Sequence, residues 1–203
     1  QMKEGWIYEG SILRYYRDGA AVAGTWIVTD VLAPLLGTDT GMQRYWIDYD
    51  GHVANNRLID PANPLDNPAG YMAFATKGGY VARGKHNDGA GYIYLADNDG
   101  LLALESGWFI TDAYDGGAER YYMDGTKHAA MTGLLTVDGN QYYAFPDRGY
   151  IARNQRLEIG GVWKWADPST GALSDDPQVN RMLSMAQGYY SPTQYLLMVD
   201  IDD

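Results

Sequence analysis

Three short stretches decide how this chain is read: Arg14-Tyr15-Tyr16 before Asp18-Gly19, Arg44-Tyr45-Trp46 before Asp50-Gly51, and Arg120-Tyr121-Tyr122 before Asp124-Gly125. Looser copies lie between and after them. These are Gly70-Tyr71-Met72 before Gly78-Gly79, Gly91-Tyr92-Ile93 before Asp99-Gly100, and Gln141-Tyr142-Tyr143 before Gly149. Each copy keeps its middle tyrosine while the neighbours vary. Aromatic and β-branched residues favour a pleated strand, and Asp-Gly supplies the positive φ of a tight hairpin turn, so each unit is expected to be a β-hairpin. A single hairpin is marginal in water, and stacking copies into an array held by neighbour contacts is the remedy.

A second block follows the turn. Gly51-His52-Val53-Ala54-Asn55, Gly79-Tyr80-Val81-Ala82-Arg83 and Gly149-Tyr150-Ile151-Ala152-Arg153 superpose directly. A longer resemblance also runs through the chain, with Tyr71 to Leu102 similar to Tyr142 to Leu173, 71 residues on, and Ala96-Asp97 similar to Ala166-Asp167, 70 residues on. Repetition at this level defines the fold class as all-β: tandem hairpins stacked as a quasi-linear array over residues 1–173. Strand alternation then places the middle tyrosines (Tyr15, Tyr45, Tyr71, Tyr92, Tyr121, Tyr142) on the packed face and their flankers outward.

Composition agrees with a thin, ring-rich architecture. The 203 residues include 18 Tyr and 6 Trp against 3 Phe, with 25 Gly and no Cys. Tyr and Trp pair an apolar body with a polar tip, which suits half-exposed positions that hold the array together or meet a ligand. A net charge of −11 argues against a nucleic-acid partner, which requires a basic stripe. No apolar run approaches the roughly 20 residues of a membrane span. The absence of Cys excludes disulfides, thiolate metal sites and a cysteine nucleophile.

With these motifs in place, Gly5-Trp6 ahead of Arg14-Tyr15-Tyr16 and Gly107-Trp108 ahead of Arg120-Tyr121-Tyr122 resemble the cell-wall-binding repeats of Gram-positive surface proteins. That group includes choline-binding and glucan-binding modules, and the resemblance spans roughly residues 5 to 173. It implies tandem hairpins stacked as a β-solenoid-like array with aromatic clefts that bind choline or glycan, on a secreted or surface protein of a Gram-positive bacterium. The chain departs from the choline-binding pattern where an aromatic residue usually precedes the Tyr pair. Arg14, Arg44, Arg120 and Gln141 stand there instead, and a guanidinium opposes a cation cage. Arg beside a ring suits a sugar polymer that bears carboxylate or phosphate. The expected partner is therefore wall glycan or a teichoic-acid-type polymer, met by Trp6, Arg14, Tyr16, Arg44, Trp46, Trp108, Arg120, Tyr122 and Tyr143, with no cofactor and no catalytic residue.

Residues 174–203 differ in pattern. Ser174-Asp175-Asp176-Pro177 reads as a helix start, with Val179, Met182, Leu183 and Ala186 at helical spacing over 177–187, and Tyr195 to Asp200 as a terminal strand. This segment resembles the entry to an L,D-transpeptidase domain, which makes an accessory region of a wall-remodelling enzyme one alternative function. A ligand-free spacer or adhesin stalk is another. Asp97-Asn98-Asp99-Gly100 and Asp48-Tyr49-Asp50-Gly51 read as turns in preference to calcium loops, and His52, His86 and His128 as surface residues without metal-ligand spacing.

Overall fold

The computed structural model describes residues 1–35, 41–66, 71–114 and 117–176. The expected helix over 177–187 and the terminal strand lie outside the described residues. Among the described residues the structure is all-β, built from antiparallel hairpins.

The chain divides into two units. One comprises Gln1–Met131 with Pro146–Gly149, the other Thr132–Phe145 with Tyr150 onward. In the first unit β1 (Gly5–Glu9) pairs with β2 (Ile12–Arg17), which continues to β3 (Ala20–Ala21). Next come the hairpins β4 (Thr25–Thr29) with β5 (Gln43–Ile47) and β6 (Arg57–Ile59) with β7 (Ala73–Ala75). The last two hairpins, β8 (Gly84–Asn87) with β9 (Tyr92–Ala96) and β10 (Gly107–Thr111) with β11 (Glu119–Asp124), merge through β12 (Ala129–Met131). The result is a sheet of order β10-β11-β12-β9-β8. The second unit holds β13 (Gly133–Val137) with β14 (Asn140–Ala144), and the sheet β15 (Gln155–Ile159), β16 (Val162–Ala166) and β17 (Leu173–Asp175). Ser174 and Asp175 thus extend a strand paired with Lys164 and Trp165, instead of opening a helix. The carboxylate of Asp176, in the stretch read as a helix start, accepts from Arg156 Nε at 3.1 Å.

The turn block repeats its backbone pairing as it repeats its sequence. Val53, Val81 and Ile151 bridge back to Ile47, Ala75 and Ala144, and Leu102 does the same to Ala96. The N–H groups of Ala54, Ala82, Ala103 and Ala152 donate to the carbonyls of Trp46, Phe74, Leu95 and Tyr143. Asp48 and Asp97 serve these turns. Each accepts from two backbone N–H groups through Oδ1, those of Asp50 and His52 for the first and of Asp99 and Leu101 for the second. Asp167 plays the same part for Ser169 and Thr170, and these donors hold its carboxyl well below the usual carboxylate range.

Stacking passes through the glycine of the block. A Cβ on Gly100 would lie 2.2 Å from Val81 Cγ1, and one on Gly171 would lie 2.5 Å from Ile151 Cγ2, so each glycine seats directly on the β-branched residue of an earlier block. Both have positive φ, +84° and +77°. Replacing Gly100 with Ala combines left-handed strain with a clash that has no flexible end to give. We expect a loss of about 2 kcal/mol or more, read as a lowered denaturation midpoint at unchanged m-value.

Pairing registers revise the tyrosine pattern. The first residue of each leading strand meets Tyr16, Ile47, Ala75, Ala96, Met123, Ala144 and Ala166. The position two residues earlier is therefore Arg14, Tyr45, Ala73, Tyr94, Tyr121, Tyr142 and Lys164. Tyr45, Tyr94, Tyr121 and Tyr142 are all buried, so the inward tyrosine holds at 45, 121 and 142. Tyr94, and not Tyr92, fills the position in the β9 hairpin, where burial pushes its phenol up to about 12. Tyr15 is only half-buried while its neighbour Tyr16 is 6 % exposed, because the first hairpin runs one residue out of phase with the aromatic motif. Tyr71 precedes β7 and is half-buried, and Met72 beside it is the more enclosed.

Candidate functional site

Cross-strand neighbours share a face of the sheet, so the registers also say which rings meet. The second residue of each leading strand faces its partner as Trp6–Tyr15, Trp26–Trp46, Leu58–Phe74, Lys85–Leu95, Trp108–Tyr122, Leu134–Tyr143 and Arg156–Trp165. Three of these pairs are wholly aromatic. Their centroids lie 4.8, 4.9 and 5.0 Å apart for Trp6–Tyr15, Trp26–Trp46 and Trp108–Tyr122, all edge to face.

The Trp6 cluster is largely interior. Trp6 also meets Tyr45 at 4.8 Å, and both pack with Leu13, Ile27, Ala33 and Ile47. The insertion after β4 covers this cluster. Trp6 Nε1 donates to the Val31 carbonyl at 2.8 Å, and Tyr8 Oη donates to that of Pro34 at 3.1 Å. Tyr16, expected outward, is buried instead. Lys3 Nζ lies 4.7 Å above its ring, and its hydroxyl donates to Glu9. Arg14 is a brace between hairpins, since it donates to the Asp50 carbonyl at 3.0 Å and pairs with Glu9 at 3.2 Å.

The second cluster comprises Trp26, Trp46 and Tyr71. Trp46, also expected outward, is 2 % exposed, and its Nε1 donates to Asp66 Oδ1 at 2.9 Å. Two residues before Trp46 on the same face, the Arg44 guanidinium carbon sits 4.2 Å from the Trp26 centroid and 4.5 Å from that of Tyr71. The Tyr71 hydroxyl donates to the Asp99 carbonyl, and burial raises its pKa above the ordinary phenol value.

The third cluster follows the outward face of β11. Along Glu119–Asp124, Glu119, Tyr121 and Met123 turn inward, while Arg120, Tyr122 and Asp124 are half-exposed. Arg120 Cζ lies 3.7 Å from the centroid of half-exposed Trp108. In the second unit Tyr143 is half-exposed and meets Phe145 at 6.0 Å, which in turn meets Tyr150 at 5.2 Å. Of the nine expected contact residues, then, Trp108, Arg120 and Tyr122 are brought together as a half-exposed set, and half-exposed Arg44 shares a strand face with buried Trp46.

Trp26 joins its cluster without the repeat signature, and Tyr71 joins it from ahead of β7. Thr25 stands where Gly5 and Gly107 precede the other leading tryptophans, so the Gly-Trp signature is absent there. Trp163 and Trp165 of β16 also escaped the motif, which was keyed to tyrosine.

No protein-family model matches the chain, and no curated protein matches it. Solved structures do. Choline-binding protein F from Streptococcus pneumoniae superposes with a TM-score of 0.50 at 23% identity over 85% of this chain and 52% of its own. The same protein in complex with ipratropium gives 0.52 at 22% identity, covering 85% and 54%. In the presence of a tetrasaccharide-pentapeptide peptidoglycan analogue it gives 0.50 at 21%, covering 85% and 52%. The fold is therefore that of the choline-binding repeat modules, built from successive aromatic hairpins. This chain spans about half the length of the solved proteins it matches.

Proposed function

We propose that the chain is a non-catalytic module that holds bacterial cell-wall glycan on a Gram-positive surface. The observation that carries this reading is the Trp108–Tyr122 pair with Arg120 beside it, three half-exposed groups projecting from one strand pair. Arg120 lies over one face of Trp108, so the ring surface offered to the apolar face of a sugar is Tyr122 with the remaining face of Trp108, and the guanidinium fork at their side donates to a carboxylate, a phosphate or a hydroxyl. The chain's charge of −11 does not draw an acidic polymer by long-range attraction. Local guanidinium contacts are what make an anionic glycan acceptable here. The fold likeness to a protein studied with a peptidoglycan analogue supports the choice of partner. A shallow ring platform gives weak single-site binding, and useful retention comes from several sites engaging one polymer.

The test is retention on purified peptidoglycan, with and without its teichoic acid. Trp108→Ala is expected to lower retention several-fold while the chain stays folded by circular dichroism, and Tyr122→Ala is expected to do the same. Equal retention by the intact chain and both variants would leave the rings as packing elements and the chain as a spacer.

A further inference from the structure

In the cluster of Trp26, Trp46 and Tyr71, two of the rings already hold a cation that the chain itself supplies, the Arg44 guanidinium. Trp26 meets Trp46 at 4.9 Å and 61°, and Tyr71 at 5.4 Å and 76°, so Trp26 stands edge to face with both. An organic cation is attracted to ring faces within about 6 Å of a centroid. Arg44 satisfies that distance for two rings at once, at 4.2 and 4.5 Å. Its placement is fixed by the strand and not by a loop. Arg44 lies within β5, faces Val28 across the hairpin, and accepts a hydrogen bond from Val81 N–H through its carbonyl at 2.8 Å.

We propose that Arg44 is the built-in occupant of this cluster. The guanidinium ties Trp26 of the second hairpin to Tyr71 ahead of β7, and in doing so shuts the cluster to soluble quaternary ammonium ions. A tethered cation loses no translational freedom on entering, whereas a free ammonium ion must, so a millimolar ligand does not displace it. Position 44 thus sets the specificity of the cluster. With Arg the rings are a strut; with an uncharged side chain they become a ligand site. This inference does not depend on the wall-glycan reading, because it uses only the rings and the guanidinium.

Choline chloride titrations of the full chain, at ionic strength matched with sodium chloride, test it through tryptophan fluorescence and melting temperature. The wild type is expected to give no saturable response that depends on Trp26. Arg44→Met keeps the aliphatic stem but removes the charge. It is expected to gain a saturable choline response at least tenfold stronger than any in the wild type, with a melting temperature that rises with ligand. Adding Trp26→Ala to Arg44→Met should abolish both. Arg44→Gln, with a polar head of similar reach, provides a second folded background if the first variant is unstable. A Trp26-dependent choline response in the wild type would overturn the proposal. So would the absence of any such response in a folded variant at position 44. Neither result bears on peptidoglycan retention, so this proposal and the wall-binding reading fail separately.

Discussion

Replacing Asp66 with Ala is expected to destabilise the first unit by about 3 kcal/mol, the lower end of what breaking a buried ion pair costs. Its carboxylate is fully buried and takes an unusual number of donors. Arg57 reaches it twice, at 2.6 and 2.8 Å, and Trp46 Nε1 at 2.9 Å. Asn63 Nδ2 and the Asp60 N–H approach at 3.2 and 3.3 Å. Removing it orphans the Trp46 N–H in a nearly closed pocket and strips Arg57 of its bidentate partner. Arg57 is 31% exposed and turns to water for compensation, which is why the lower end of the range applies. A double-mutant cycle in urea checks the assignment. Arg57→Ala should cost much less on the Asp66→Ala background than on the wild type. Purely additive losses would mean that the ion pair contributes nothing beyond its separate contacts.

Asp66 sits in the Pro-rich stretch between β6 and β7, a region whose spacing merely looks irregular in the sequence. Its role was not legible because it depends on where Trp46 points, and that depends on register. Strand side chains alternate, so a slip of one residue exchanges inside for outside. Aligning Arg14-Tyr15-Tyr16 on Arg120-Tyr121-Tyr122 makes that slip. Gly5 pairs with Tyr16, but Gly107 pairs with Met123, so Tyr15 takes the place of Tyr122 and Tyr16 falls inside. Loop length hides the difference, since Gly10 and Ser11 alone link the first hairpin while residues 112–118 link the fifth. The Gly-x-Val/Ile-Ala block was legible because its φ and its bridge are local properties. The outward placement of Trp108, Tyr122 and Arg120 was legible because Gly-Trp and Arg-Tyr-Tyr stay in phase there. Trp26 was hidden behind Thr25, and Tyr71 enters its cluster from outside any strand.

The same register argument yields the sharpest stability contrast in the first unit. Tyr45→Ala is expected to cost about 3–5 kcal/mol, as truncation of a fully buried aromatic does. Tyr45 is 0 % exposed, lies 4.8 Å from Trp6 and 6.5 Å from Tyr80, and packs among Leu13, Ile27, Ala33 and Ile47. Its ring therefore joins residues of the first hairpin to the second and to the block that follows β7. Burial raises its phenol pKa, while its hydroxyl oxygen accepts from the Ala33 N–H at 3.2 Å and so fastens the covering insertion. Tyr45→Phe isolates that last contact and should cost only about 1 kcal/mol, because the ring remains and one hydrogen bond is lost. Tyr15→Ala, at the half-buried neighbouring position of the motif, should cost less than Tyr45→Ala despite removing the same atoms. Chemical denaturation of the three variants decides the matter. If Tyr15→Ala proves as damaging as Tyr45→Ala, the first hairpin is paired one residue away from the register described above.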